Sequence, residues 1–344
     1  MSALSIRRQG DAARRTRAGP GSRPGFRRVM ACIDTSELAL KAIPHAVAIA
    51  RSMQAELTLV RVLEAKSAVS LPPDPVEWDM RRREARGLLE GVADERRDGT
   101  PYIRTEVVEG EPAEQICLWA RDHKADLTVL CTHGEGGSIY WELGGTARKV
   151  IDRAPGSVLL IPAALAEMPV VRYQRILMPL DGSPRAESIL PLAMRLAKSQ
   201  DAELILAHVI PVPELTEIGP LAAEDLDLRA QVVRRNERVA LAYLDRIRAR
   251  VSEGRIRARS LVLRDGDIRS RLAGAVIDET VDLVILSARG RGGSDTPVGS
   301  VTAYMAAHAA VPLLIVRHNA TQPARRVRLA TSDPGVRLPN HATP

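Results

Sequence analysis

Aromatic side chains are scarce in this chain, with one Phe, three Trp and five Tyr in 344 residues. A core built from this sequence must be aliphatic, and the aromatic platforms that stack single-stranded nucleic acid are excluded. Cysteine is nearly absent: Cys32, Cys117 and Cys131 are too few and too scattered for a disulfide framework or a paired-cysteine metal site. Reduced thiols are the expectation. No uncharged apolar run approaches the ~20 residues that cross a bilayer. The Arg-rich N-terminal stretch has no apolar run behind it, so it does not read as a secretory signal. The phosphate-loop pattern G-x-x-x-x-G-K-[ST] is missing, and no G-x-G-x-x-G follows the first strand. Ordinary nucleotide triphosphatases and dehydrogenases are thereby disfavoured. Together these absences predict a cytoplasmic protein without membrane insertion.

What is present is globular: 45% hydrophobic and 26% charged residues. The length suits two domains of about 150 residues each. The net charge of +7 resides in the tails. Residues 1–28 hold eight arginines against Asp11, and residues 317–344 hold five against Asp333, which leaves the body slightly negative. We read 1–26 as a disordered basic arm and 318–344 as a disordered tail, because neither has apolar periodicity. A basic arm can touch nucleic acid or anionic lipid through counterion release; a solvated extension is the plainer reading. Outside the tails nucleic acid is not an expected partner.

The chain repeats itself. Residues 27–62 and 174–209 align without a gap, matching Asp34 to Asp181, Ser36 to Ser183 and Pro44 to Pro191. Further on, Asp126-Leu127 matches Asp282-Leu283, and the glycine string from Gly134 matches that from Gly290. A period of this length means a duplicated domain rather than a solenoid. The units are 27–163 and 174–317, with 164–173 as a linker. Each alternates short apolar strands with helices. Strands are expected at 28–33, 56–62, 102–108, 127–131 and 157–161, then at 174–180, 202–210, 256–263, 282–287 and 312–316. Long charged helices are expected near 76–97 and 222–252, and kinks at Pro44 and Pro191. Such alternation implies a doubly wound parallel sheet. Ligands then bind at the strands' carboxyl ends, where strand order reverses.

Two features stand at those ends. Asp34 and Asp181 each close the first strand of their unit, and a carboxylate there can accept a ribose hydroxyl or a base edge. The alternative is ordinary turn chemistry, in which Asp and Ser cap the next helix. After the fourth strand come glycine loops, Gly134 to Gly145 and Gly290 to Gly299, each opening a helix. Glycines let backbone N–H groups turn inward, and a helix N-terminus adds orphan donors, so the pattern suits phosphate. Arg289, Arg291 and Ser300 reinforce the second loop. Glu135 stands where Arg291 does, which makes the first loop the weaker phosphate site. His133 can contact phosphate or face solvent, and His208 reads as a core residue. No Ser, His and acid share catalytic spacing, and no His/Asp cluster suggests a metal.

At Pro179-Leu-Asp181-Gly-Ser183, Cys32-Ile-Asp34-Thr-Ser36 and the two loops, the chain resembles the universal stress protein family in a tandem form. Nucleotide-binding members carry G-x2-G-x9-G-[ST] after strand four. The second unit reads Ser287-x2-Gly290-x8-Gly299-Ser300; the first reads Cys131-x2-Gly134-x9-Gly144-Gly145, followed by Thr146. The resemblance implies two α/β domains of the adenine nucleotide alpha hydrolase type, each with five parallel strands ordered 3-2-1-4-5 and often paired through the last strand. It implies ATP, ADP or AMP in one subgroup and none in another, with Mg²⁺ accompanying ATP. Carried over, the nucleotide contacts are Pro179, Asp181, Leu204, Ser287, Gly290, Gly299, Ser300 and Val301. In the first unit they are Asp34, Leu57, Cys131, Gly134, Gly144, Gly145 and Thr146. The two units are expected to form an internal pseudo-dimer, with a homodimer as a further assembly. Any ATP hydrolysis is expected to be slow, because no general base or arginine finger is evident. A nucleotide-free adaptor acting through protein partners is the alternative. Cys32 and Cys131 end neighbouring strands in that order and suggest either a redox pair or small buried thiols. Trp141, in the first loop, is a candidate cover for a ligand.

Overall fold

A computed structural model describes residues 25–64, 74–96, 103–134, 143–211, 223–264, 266–292, 296–308 and 310–317. The basic tails beyond them, Glu135 and Trp141 lie outside the described residues. Strand and helix alternate as the apolar runs predict. The first half runs β1 (Arg28–Cys32), α1 (Glu37–Leu40), α2 (Ala42–Met53), β2 (Glu56–Leu63), α3 (Pro75–Glu95), β3 (Ile103–Glu109), α4 (Pro112–Asp122), β4 (Leu127–Cys131), α5 (Gly145–Arg153) and β5 (Ser157–Ile161). The second runs β6 (Arg175–Pro179), α6 (Pro184–Ser188), α7 (Leu190–Gln200), β7 (Glu203–Val209), α8 (Ala223–Glu253), β8 (Ala258–Leu263), α9 (Ile268–Asp278), β9 (Leu283–Ser287), α10 (Ser300–His308) and β10 (Leu313–Val316).

The two prolines break their helices upstream of themselves. The breaks fall at Lys41, between α1 and α2, and at Ile189, between α6 and α7. A proline lacks the N–H for the bond to the residue four back, and its ring crowds that carbonyl. The distortion therefore lands in the turn before Pro44 and Pro191.

Within each half every strand pairing is parallel, in the order β3-β2-β1-β4-β5 and β8-β7-β6-β9-β10. The halves join through their last strands, which run antiparallel with Leu160 opposite Leu313 and Leu159 opposite Leu314. The result is a single ten-stranded sheet among the described residues. One face packs under α2, α3, α7 and α8 and the other under α4, α5, α9 and α10. The helices change face between β1 and β4, and again between β6 and β9, so each half has its own switch point. Core residues are almost all aliphatic; Phe26 and Tyr173 are the aromatic side chains buried within it.

Side chains also stitch the halves. Tyr173 is 1% exposed, in the segment expected to link the units, and its hydroxyl lies 2.9 Å from His45 Nδ1 on α2. Burial lowers the His45 pKa to about 4. Arg195 Nη2 on α7 donates to the Met53 carbonyl at 2.6 Å, and Gln200 Nε2 donates to Ser52 Oγ at 2.6 Å. Within the first half, Lys41 Nζ donates to the carbonyl of Ala163 at 2.9 Å and to that of Leu165 in the linker at 2.7 Å. At the amino ends of the strands, Asp126 accepts N–H bonds from Arg27 and Arg28, and Asp282 from Gln174 and Arg175. That repeated aspartate fastens β4 to β1 and β9 to β6, far from the switch points.

Candidate functional site

Each switch point is built from two backbone devices that meet. The first is the turn leaving strand one. Asp34 Oδ1 accepts from Ser36 N at 2.8 Å and from Ser36 Oγ at 2.5 Å. Asp181 Oδ1 accepts from Ser183 N at 2.9 Å. The serines in turn cap the following helix, Ser36 accepting from Ala39 N and Ser183 from Ala186 N. Turn chemistry therefore accounts for one oxygen of each aspartate. It leaves Oδ2 to be explained.

The glycine loop explains it. A Cβ placed on Gly134 would collide with Asp34 Oδ2, and one on Gly290 would collide with Asp181 Oδ2. These glycines are required because the carboxylate lies against their Cα. In the second half Arg291 N–H donates to Asp181 Oδ2 at 2.6 Å, locking loop to turn. Burial pushes the Asp181 carboxyl up, but the Ser183 and Arg291 hydrogen bonds outweigh it and hold the group below the usual carboxylate range. The loop then folds back on its own strand: Gly144 N–H donates to the Thr132 carbonyl at 2.9 Å and Gly299 N–H to that of Ala288 at 2.8 Å. Those bonds place the N-termini of α5 and α10 beside the aspartates. There the first N–H groups of a helix have no partner within it and favour an anion.

Side chains distinguish the halves at that helix start. Ser300, exposed, opens α10, with Val301 partly buried behind it. Gly145 opens α5, and a Cβ there would meet nothing within 4 Å. Thr146 follows at the position of Val301. Arg289 corresponds to His133, whose Nδ1 lies 3.1 Å from Thr132 Oγ1. Pro179 and Ser287 end β6 and β9, with the Ser287 carbonyl accepting from Thr302 Oγ1 at 3.0 Å. Cys131 ends β4 and its thiol donates to the Leu38 carbonyl at 2.7 Å.

Two candidates are not brought to the site. Leu57 and Leu204 are fully buried and pair with Val29 and Ile176, near the amino ends of the strands. Asp181 lies five residues beyond Ile176, or about 16 Å along a strand. The register instead brings the ends of β2 and β7 beside the aspartates, where Val62 and Val209 stand; reading one strand at a time gave no signal for this. The thiols are also separated. Parallel register pairs Ala31 with Val129, so Cys32 and Cys131 project to opposite faces of the sheet. Burial pushes Cys131 up to about 12, with Asp34 adding to the shift, and pushes Cys32 up beside Cys117. The two form no redox pair. His208 is held by the Leu180 carbonyl at 2.7 Å and by the edge of Tyr243, a structural setting. Among the described residues no group of three potential metal ligands stands together, and no helix is long and apolar enough to cross a membrane.

The sequence profile of the universal stress protein family matches this chain twice, over residues 25–162 and 172–317. A universal stress protein of Methanocaldococcus jannaschii is 31% identical over 140 residues, covering 40% of this chain and 82% of that protein. One from Mycobacterium tuberculosis is 25% identical over 306 residues, covering 84% of this chain and 92% of that one. Among solved structures, a universal stress protein from Archaeoglobus fulgidus superposes with a TM-score of 0.59 at 18% identity, over 84% of this chain and 98% of that chain. The likeness at that identity is one of fold.

Proposed function

This chain belongs to the universal stress protein family as two tandem domains, and from that premise we propose that its second domain holds ATP or a related adenine nucleotide as a stress signal. The observation that carries the reading is the Arg291 N–H bond to Asp181 Oδ2, which ties the start of the glycine loop to the turn after strand one. Asp181, held by hydrogen bonds from Ser183 and from the Arg291 N–H, is in this reading the acceptor for a ribose hydroxyl. Pro179 and Ser287 flank it at the strand ends. Gly290 and Gly299 allow close approach of phosphate, and the N–H groups of Ser300 and Val301, with the Ser300 hydroxyl, face the phosphate charge. Mg²⁺ would arrive on the phosphate oxygens with ATP.

Occupancy rather than turnover is the output in this reading. Both Asp181 oxygens accept hydrogen bonds within the protein and its carboxyl is acidic, which makes it a poor general base. In the first domain Asp34, Cys131, Gly134, Gly144, Gly145 and Thr146 form the same backbone arrangement without the serine. Its second use is as a permanent structural partner, favoured by the pairing of β5 with β10. Native mass spectrometry of protein purified without added nucleotide tests the proposal. Released ATP or ADP, lost on Asp181→Ala or Gly299→Glu, is the expected result. A chain that carries none and ignores millimolar ATP overturns it in favour of the adaptor.

A further inference from the structure

The antiparallel pairing of β5 with β10 points the strands of the two halves in opposite directions. The helix α5 starts in the first glycine loop and, about 14 Å of helical rise later, ends beside the strand that supports the second. Its last turn needs a neighbour there. The final carbonyls of a helix lack donors within it, and Pro155, four residues after Ile151, has no N–H to offer. Arg317, which follows β10, supplies one. Its Nη2 donates to the Ile151 carbonyl and, at 3.5 Å, to that of Asp152. Its own N–H donates to Ser157 Oγ at 3.2 Å. One residue of the second half thus caps a helix of the first.

The same residue is tied to the second glycine loop. The Val316 carbonyl accepts from Ala288 N–H at 2.9 Å, and the Ala288 carbonyl accepts from Gly299 N–H at 2.8 Å. The latter is the bond that closes the loop at the start of α10. A continuous path therefore runs from the last turn of α5 through Arg317, Val316 and Ala288 to Gly299. The first half is built differently at this point. Thr132 N–H donates to the Ile161 carbonyl at 2.8 Å in the same way, but the next residue is Pro162, which has neither N–H nor guanidinium. We propose that Arg317 couples the second glycine loop to the docking of the first domain, so that nucleotide on that loop and the docked junction strengthen each other. For its ligand this coupling rests on the ATP reading of the second domain.

Charge gives the coupling its sign. Arg317 Nε is buried without an acceptor among the described residues. Burial, and after it the charge of Arg289, push the Arg317 guanidinium below its ordinary basicity. Arg289 belongs to the glycine loop. Phosphate charge on that loop offsets the repulsion between the two arginines and favours the state in which Arg317 caps α5. The competing state is a frayed last turn of α5 with the guanidinium in water, a local opening of low cost. A ligand that prefers the capped state shifts the balance toward it, and the effect is reciprocal.

Hydrogen exchange of the full-length protein with and without ATP and Mg²⁺, alongside ATP calorimetry, tests the proposal in Arg317→Met and Arg317→Lys. Without nucleotide, Arg317→Met should exchange faster than wild type both in 148–154, which it caps, and in 296–303, which it does not touch. ATP affinity should fall about fivefold, the low end of coupling between sites. ATP should protect 148–154 in the wild-type protein and fail to do so in Arg317→Met. Arg317→Lys, which keeps the charge and a donor for the carbonyls, should restore most of the affinity and the protection. Faster exchange confined to 148–154, or ATP affinity equal to wild type, overturns the coupling and leaves Arg317 a helix cap. A wild-type chain that binds no ATP overturns the nucleotide reading instead, and the exchange without nucleotide still decides whether Arg317 governs the loop.

Discussion

The two glycine loops share a backbone and differ in what they display. In both, a strand-one aspartate rests its outer oxygen on a glycine Cα, and a later glycine N–H closes the loop onto its own strand. At the helix start, however, one loop offers Ser300 and the other Gly145, and Arg291 is replaced by Glu135 in sequence. The turn differs too: Gly182 takes φ +76°, a conformation glycine favours, where the first half has Thr35. The two halves share the parts that hold the chain in shape and differ in the side chains that the proposed nucleotide would meet. A conserved loop geometry is therefore evidence of a fold, and the side chains on it are evidence of use.

The largest expected effect that separates the halves lies on α2. His45 is buried beside Tyr173, whereas the matching residue of α7 is Leu192. With its pKa lowered from 6.5 to about 4, His45 stays neutral in the folded protein at pH values where the unfolded chain is protonated. Stability is therefore full above pH 6.5 and declines as pH falls toward 4, by about 3 kcal/mol in all. Urea unfolding at pH 7 and pH 4.5 should show this fall, and His45→Leu/Tyr173→Phe should remove most of it. An equal decline in the double variant would place the pH sensitivity elsewhere.

Next is Gly290→Ala, which forces Asp181 from its place. The cost should be about 1–3 kcal/mol of stability, with at least tenfold weaker ATP binding by calorimetry. Gly134→Ala should cost a similar stability and leave ATP binding alone; equal losses of binding would mean that both halves are sites. Smaller still, Ser300→Ala should weaken ATP by about fivefold to tenfold, as loss of one exposed hydrogen bond worth about 1 kcal/mol does. Gly145→Ser, for which there is space, should leave the fold unchanged and raise any affinity of the first half. The smallest effect concerns the thiols: Cys32 and Cys131 should resist iodoacetamide in the native protein, since neither is a thiolate at neutral pH. Rapid labelling of both would contradict their being protonated thiols at neutral pH.

Much of this architecture was legible in the sequence because it is local. Apolar runs located the strands, Ser183 announced the cap that it makes, and the repeat with its family resemblance supplied the strand order. Leu57 and Leu204 show where that reasoning stops. Which end of a strand faces the crevice depends on the register with its neighbour, and a near-continuous apolar strand carries no internal mark of register. The redox-pair alternative for Cys32 and Cys131 falls for the same reason, since adjacent strand ends can point to opposite faces, and small protonated thiols are the reading that fits. The Tyr173–His45 contact spans 128 residues and follows from the docking of the halves, which no single segment encodes.

The antiparallel union of β5 with β10 has one more consequence. Separate domains held by such a strand pair would come apart on dilution, each exposing a row of unpaired amides beside Val, Leu and Ile, an invitation to aggregate. A short covalent connection instead keeps the partners at an effective concentration in the millimolar range whatever the abundance of the protein. The pair should therefore melt at a temperature independent of protein concentration. A cell that makes only a few copies would still have every one of them assembled.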